Sequence, residues 1–141
     1  MRDLKYLFAY TVPISTLISF NSFGLGTYTA VFYAFVILPI LDVVLGEDNT
    51  NLSEEKVGVK KINKVFDWML YINLPIVYSL MAYGFVKVSS NDYSLFEMVG
   101  MCLSAGILLA TNGINVAHEL CHRKKYIERA IGKALFLPCL Y

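Results

Sequence analysis

The two histidines of the chain, His118 and His122, lie four residues apart in the run His118-Glu119-Leu120-Cys121-His122. In an α-helix, residues at this spacing lie on the same face, so that both imidazole rings can bind one metal ion. The second nitrogen of each ring is then available to hydrogen-bond partners that orient the ligand. The run therefore predicts a metal site, and the surrounding sequence must indicate which kind.

Several kinds of site share this spacing. The same five residues match the HExxH pattern of zinc proteases, in which the histidines bind zinc and the glutamate, here Glu119, is the base that activates water. Zinc needs a third protein ligand, and the chain has no other histidine; Glu128 or Asp42 could serve only if the chain folded back. A second interpretation is non-haem iron, which histidine and carboxylate ligands suit. In a third, the histidines are polar residues at the level of the lipid headgroups and bind no metal.

The composition predicts a membrane protein. Hydrophobic residues make up 57% of the chain and charged residues 16%, whereas a soluble domain carries about 25% charged residues. No Asp, Glu, Lys or Arg occurs in 6–41 or in 98–117, and about 20 apolar residues in a helix cross the bilayer core. No basic patch with interleaved aromatic residues is present, so nucleic acid is excluded as a partner. The three cysteines show no paired spacing and predict small buried side chains rather than disulfides.

The predicted fold is all-α and integral to the membrane, and the chain, 1–141, forms part of one membrane domain. The four predicted spans, in two hairpins, are 4–20, 27–45, 66–86 and 94–117. A loop at 46–65 separates the hairpins, and the histidine motif at 118–122 follows the fourth span directly. The segment 126–141, basic at first and then apolar, is predicted as an interfacial helix or a partial fifth span.

The distribution of Lys and Arg predicts the orientation. These residues lie before the first span, in the 46–65 loop and after the histidine motif, whereas the other two connections contain only Lys87. Because positive residues favour the cytoplasmic side, we expect the N-terminus, the 46–65 loop and the histidine motif to be cytoplasmic.

Other polar residues near the ends of the spans are candidates for contacts with metal ligands. Asn112 and Asn115 lie about one turn apart before the motif, where they hydrogen-bond metal ligands or join helices to one another. Asp42 lies one turn inside the cytoplasmic end of the second span. Carboxylates at membrane depth tend to be functional, although solvation at a helix end also explains one. Glu119 orients a ligand, holds a proton or accepts a hydrogen bond from a ligand.

Two separated stretches carry a family resemblance. The residues around the motif, 112–124 with 128–133 and 138–141, resemble the first histidine box of the membrane-bound alkane 1-monooxygenases, in the fatty acid desaturase and hydroxylase superfamily. The second stretch, 38–42 with 46–48, is similar to the LPxLD…GED sequence that ends that family's second span. The resemblance extends from about residue 30 to the end. Cys121 stands where relatives often have Gly, and Arg123 where Lys is commoner. Neither departure changes an expected ligand.

The resemblance implies a non-haem di-iron enzyme of the bacterial inner membrane. Such an enzyme inserts one oxygen atom of O2 into the terminal C–H bond of an alkane. The hydrocarbon enters from the bilayer, and rubredoxin and its reductase supply the electrons. The cofactors are then two iron ions, with His118 and His122 as two ligands among many.

Three histidine boxes build the family's site, and this chain has only the first. We therefore expect an N-terminal fragment that is inactive alone. A fatty acid desaturase relative, a zinc protease and a metal-free membrane remnant remain as alternatives.

Overall fold

The computed structural model describes residues 8–45 and 64–140, and all of the regular secondary structure in these residues is helical. The predicted all-α class is thereby confirmed. Within this part of the chain we number the helices α1 (Phe8–Phe20), α2 (Gly24–Leu45), α3 (Val65–Ser90), α4 (Leu95–Cys121) and α5 (Tyr126–Phe136). Helices α2, α3 and α4 are each long and apolar enough to cross a membrane, whereas α1 is apolar but shorter.

The helix ends can be compared with the predicted spans. The predicted spans 27–45 and 66–86 lie inside α2 and α3, and 94–117 lies inside α4 except for Ser94, which caps the helix. Helix α1 occupies the rest of the predicted first span from Phe8 onwards, and 4–7 lie outside the described residues. Most of the predicted 46–65 loop, with the motif residues 46–48, also lies outside them.

The two helices that carry the sequence motifs are not uniform α-helices. Each contains a π-helical segment, in which the wider turn changes the direction of the side chains that follow. Helix α2 runs through Gly24–Tyr28 (3₁₀), Thr29–Phe32 (α), Tyr33–Ile37 (π) and Leu38–Leu45 (α). Helix α4 runs through Leu95–Leu108 (α), Leu109–Asn115 (π) and Val116–Cys121 (α). The π-helical segment of α4 ends three residues before His118 and therefore helps to set the direction in which the histidines point.

The other helices are closer to regular. Helix α3 is interrupted at Ile72, between an α-helical segment that ends at Tyr71 and one that begins at Asn73. A short 3₁₀ turn, Leu137–Cys139, follows α5.

Small hydroxyl side chains join α1, α2 and α4. Ser19 of α1 accepts a hydrogen bond from the backbone N–H of Ala30 at 3.0 Å. Ser104 of α4 donates to the carbonyl of Thr27 at 2.8 Å. All of these side chains are buried. In a membrane, small residues allow such close helix approach, and interhelical hydrogen bonds satisfy their polar atoms.

A capping box begins α4 at the end remote from the histidine motif. Ser94 accepts a hydrogen bond from the N–H of Glu97, and the Glu97 carboxylate accepts from the N–H of Ser94 at 2.8 Å. The same carboxylate accepts from the N–H of Gly24 at 2.7 Å. Glu97 therefore connects the start of α4 to the start of α2.

Helix α5 folds back against the opposite end of α4. A buried cluster of Val77, Ala117, Leu120 and Leu135 joins α3, α4 and α5. At Gly132 of α5, a Cβ atom would lie 2.8 Å from the sulfur of Cys121 and 2.9 Å from the carbonyl oxygen of Ala117. The close approach of the two helices therefore depends on the absence of a side chain at this position.

Gly132→Ala is expected to lower the thermal stability of the chain in detergent. The added methyl group meets the backbone of α4, and overpacking of this kind typically costs ~1–3 kcal/mol. The matched control is Gly106→Ala, since a Cβ there meets no atom within 4 Å and Ala is favoured over Gly inside a helix by roughly 0.5–1 kcal/mol. Equal melting temperatures for the two variants would contradict the packing described here.

Candidate metal site

The two histidines lie one turn apart at the end of α4. His118 lies in the last turn, and His122 follows the helix with backbone angles that are still helical (φ −77°, ψ −10°). The backbone N–H of His122 donates to the carbonyl of His118 at 3.2 Å. Both side chains are exposed. The structure therefore gives the pair the helical spacing that shared binding of one metal ion requires.

Helix α5 contacts the first of these histidines. The ring of Phe136 meets the ring of His118 edge to face, with 4.9 Å between the ring centroids. Such an aromatic contact restricts the orientation of the imidazole. The position of α5 therefore bears directly on the site.

The other predicted residues are dispersed. Glu119 is exposed, and its carboxylate lies 3.5 Å from the Nε of Arg123. Asn115 is exposed at the end of the π-helical segment, and Asp42 is exposed on α2, where it lines an open groove. Among residues 8–45 and 64–140, no group of three His, Cys, Asp or Glu side chains is placed to hold one metal ion. In this part of the chain the histidine pair therefore has no third ligand of these types beside it.

Asn112 joins helices deep in the fold. Its side chain is buried, and its amide nitrogen donates to the Oδ1 of Asn73 at 2.8 Å and to the carbonyl of Ala9 at 3.1 Å. The Asn73 amide in turn donates to the carbonyl of Met69 at 2.8 Å. Both hydrogens of the Asn112 amide are thereby used. Of the two predicted roles for Asn112, the structure shows the joining of helices, with α1 and α3 as the partners.

A charged cluster lies beside the motif, and sequence reasoning missed it. We call it the Arg123 cluster; its members are Asp67, Tyr71, Arg123, Lys125 and Glu128. Arg123 donates to Asp67 and lies 3.3 Å from the carboxylate of Glu128. Glu128 also accepts a hydrogen bond from the hydroxyl of Tyr71 at 2.6 Å, and Lys125 lies 3.5 Å away.

Glu128 is the buried member, with 3% of its surface exposed. A charge in this position is tolerated only where partners surround it. The hydrogen bond from Tyr71 lowers the pKa of Glu128 below its ordinary value of 4.5, and the hydrogen bond and charge of Arg123 act in the same direction against burial, which raises the pKa. Glu128 is thus engaged with Arg123 and Lys125. Among the described residues it does not form a three-ligand group with His118 and His122, the arrangement that a zinc site would need.

The sequence contained part of the signal for this cluster. Glu128 is the only acidic residue between Glu119 and the end of the chain, within a strongly basic stretch, which makes ion pairing predictable. The members of the cluster on α3 are more than fifty residues away from their partners, since Asp67 pairs with Arg123 and Tyr71 donates to Glu128. Nothing in their spacing indicates these contacts.

The fold and the motif together define the class of protein, an all-α membrane protein with an exposed histidine pair at the end of a spanning helix. Comparison with known proteins then identifies its relatives. The chain is 34% identical over 110 residues to an alkane 1-monooxygenase of Pseudomonas putida, a match that covers 77% of the chain and 26% of the relative. It is 31% identical over 134 residues to alkane 1-monooxygenase 2 of Alcanivorax borkumensis, with 92% of the chain and 35% of the relative covered.

A third relative extends the group to aromatic substrates. The xylene/toluene monooxygenase hydroxylase component of Pseudomonas putida is 27% identical over 141 residues, which covers 96% of the chain and 35% of the relative. No protein-family model matches the chain. The chain is thus a homologue of the alkane 1-monooxygenases over part of their length, as the resemblance predicted. It spans about a quarter to a third of the curated relatives it matches.

Acidification is expected to remove the contribution of Glu128 to stability. Because its pKa is lowered in the folded state, this contribution is present in full above the unfolded value of 4.5 and is lost as the pH falls through the folded value. Glu128→Gln leaves the charge of Arg123 with one partner fewer, so the variant should melt at a lower temperature at pH 7. The difference in melting temperature between the variant and wild type should narrow as the pH falls below 4.5. Melting curves in detergent measure this difference. A difference that stays constant as the pH falls would contradict a stabilising role for the charge of Glu128.

Proposed function

We propose that this chain carries two histidine ligands of a non-haem di-iron centre in a membrane monooxygenase that hydroxylates the terminal carbon of alkanes. The observation that carries the proposal is the exposed pair His118 and His122, one turn apart at the end of a helix long enough to cross the membrane. Homology to alkane 1-monooxygenases supports the reaction class.

The donor set fits part of such a centre. Imidazole nitrogens suit iron, and two of them on one helical face suit a shared ion. Two histidines cannot complete the coordination of two irons, and no third ligand group is assembled among the described residues. We propose that the remaining ligands come from outside this chain's own residues and that the chain alone does not catalyse the reaction.

The residues of the chain then have distinct tasks. Bound iron would supply the activation of O2 for insertion into a C–H bond. His118 and His122 hold the metal, and Phe136 fixes the ring of His118 through the contact between their rings. The carboxylate of Glu119, which pairs with Arg123, places a negative charge one residue from the ligand His118.

An apolar cavity supports a hydrocarbon substrate. It has a volume of about 350 Å³ and lies between α1, α3 and α4, with Phe20, Met81 and Met101 in its wall. The cavity reaches Leu109, which precedes His118 along α4 by ~14 Å of helix. An alkane offers no polar group for recognition, so a site of this kind must rely on shape and apolar contact. The position of the cavity between these apolar helices supports entry of the substrate from the bilayer.

The excess of Lys and Arg on one side of the spans supports a cytoplasmic position for the histidine motif, in a bacterial inner membrane. Electrons would then reach the site from the cytoplasm, through rubredoxin and its reductase.

The zinc protease is less well supported than the monooxygenase. Glu119, which would be its base, is paired with Arg123, and Glu128 is buried among cations. The relatives are monooxygenases. Metal analysis separates the two classes, because about two irons per complete protein favour the oxygenase and one zinc favours the protease.

His118→Ala is expected to abolish alkane hydroxylation in a complete enzyme that contains this segment, because one ligand is lost from the metal. Lys124→Ala, which changes an exposed neighbour of the motif, should leave turnover within about twofold of wild type, as surface substitutions usually do. The measurement is terminal alcohol formed per enzyme, together with bound iron. Full turnover by a well-expressed His118→Ala enzyme would contradict the proposal.

A further inference from the structure

The turn after His122 is the part of the site that the helix itself holds least. At the end of an α-helix the last carbonyl groups have no partner within the helix. Two backbone hydrogen bonds close this end, from the N–H of His122 to His118 and from the N–H of Arg123 to Leu120, both at 3.2 Å. A ligand in such a position keeps a fixed direction only if other elements hold the turn.

Arg123, the next residue, provides such a connection to three helices. Its guanidinium group donates to Asp67 of α3, lies 3.5 Å from Glu119 of α4 and lies 3.3 Å from Glu128 of α5. The guanidinium is planar and presents five donors in a fixed arrangement, so it can bind several carboxylates at once with defined geometry. The backbone beside His122 is therefore fixed relative to all three helices.

Glu128 anchors α5 at the same point. It is buried and accepts hydrogen bonds from Tyr71 of α3 and from Arg123. Eight residues further along α5, Phe136 contacts the ring of His118. Helix α5 is thus connected to both histidines. Glu128 connects it to His122 through Arg123, and Phe136 connects it to His118 directly.

Stability alone does not account for this arrangement. Buried ion pairs contribute little net stability compared with apolar residues of similar size, because desolvation opposes the attraction. Their best-documented use is to select one geometry among several. Metal sites need such selection, since the partners of a ligand fix its orientation and their loss typically costs 10–100-fold in metal affinity.

We infer that Arg123 and Glu128 are positioning residues, which fix the directions of His118 and His122 through the Arg123 cluster so that the pair can bind one metal ion. The inference rests on the proposed function, since it takes the histidines as ligands. Metal binding then depends on Arg123 and Glu128 as well as on the histidines. It also depends on Asp67 and Tyr71 of α3, which hold these two side chains.

The test uses the 141-residue chain in detergent micelles, with Co²⁺ as the probe because its visible absorption reports binding. Glu128→Gln keeps the shape of the side chain and removes its charge, and it is expected to bind Co²⁺ at least ~10-fold more weakly than wild type. Hydrogen exchange of the backbone amides in 118–126 should quicken in the same variant, and far-ultraviolet circular dichroism should show unchanged helix content.

Glu97→Gln is the matched control. It also removes a carboxylate that connects two helices, at the other end of α4. It should lower the melting temperature and leave both Co²⁺ affinity and exchange in 118–126 unchanged. If Glu128→Gln does not fold, Asp67→Asn tests the same cluster at a partly exposed position.

The outcomes separate this inference from the proposed function. Weaker Co²⁺ binding and faster exchange in Glu128→Gln, with neither in Glu97→Gln, support the inference. Wild-type affinity in Glu128→Gln overturns it, as does equal weakening in both variants, which would indicate a general effect of stability. If the wild-type chain binds no Co²⁺, or if His118→Ala binds it as well as wild type, the proposed metal site fails. In that case, unchanged exchange in 118–126 of Glu128→Gln also overturns the positioning role.

Discussion

The packing of α5 against the end of α4 determines how the side chains around the histidine pair are arranged. Gly132 allows the two helices to approach so closely that a methyl group would meet the carbonyl of Ala117. That approach brings Phe136 to the ring of His118 and Glu128 to the side chain of Arg123. A histidine pair at the exposed end of a helix would otherwise be held by one helix alone, and the last turn of a helix is where fraying begins.

The polar groups within the helices are satisfied in pairs, as the membrane requires. Asn73 and Asn112 bond to each other and to backbone carbonyls, and Ser19 and Ser104 bond across helices. Unpaired polar groups in hydrocarbon cost several kcal/mol each. No buried side-chain nitrogen or oxygen among the described residues lacks a hydrogen-bond partner. The same bonds hold α1, α3 and α4 in place. Because Asn112 lies in the π-helical segment before the motif, its hydrogen bonds also fix the position of that segment.

The helices and the histidine pair could be predicted from the sequence because local patterns determine both. Apolar runs such as 98–117 indicate spans, and the spacing of His118 and His122 indicates a shared face. The contacts around the pair involve residues that are far apart in the sequence, and they could not be predicted. Asp67 meets Arg123 across 56 positions of sequence, and neither the charge pattern nor the spacing predicts which of several lysines and arginines it meets. The π-helical segments were also not predicted. Nothing in the composition of 109–115, for example, distinguishes this segment from an ordinary helix.

X-ray absorption at the iron edge would show whether His118 and His122 bind iron. The chain would be loaded with Fe²⁺ under anaerobic conditions in detergent, beside a double variant in which both histidines are replaced by alanine. If they do, the wild-type spectrum shows outer-shell scattering from imidazole rings. This scattering, and most of the bound iron, are lost in the double variant. Equal iron content and identical spectra for the two proteins would contradict iron binding by these histidines.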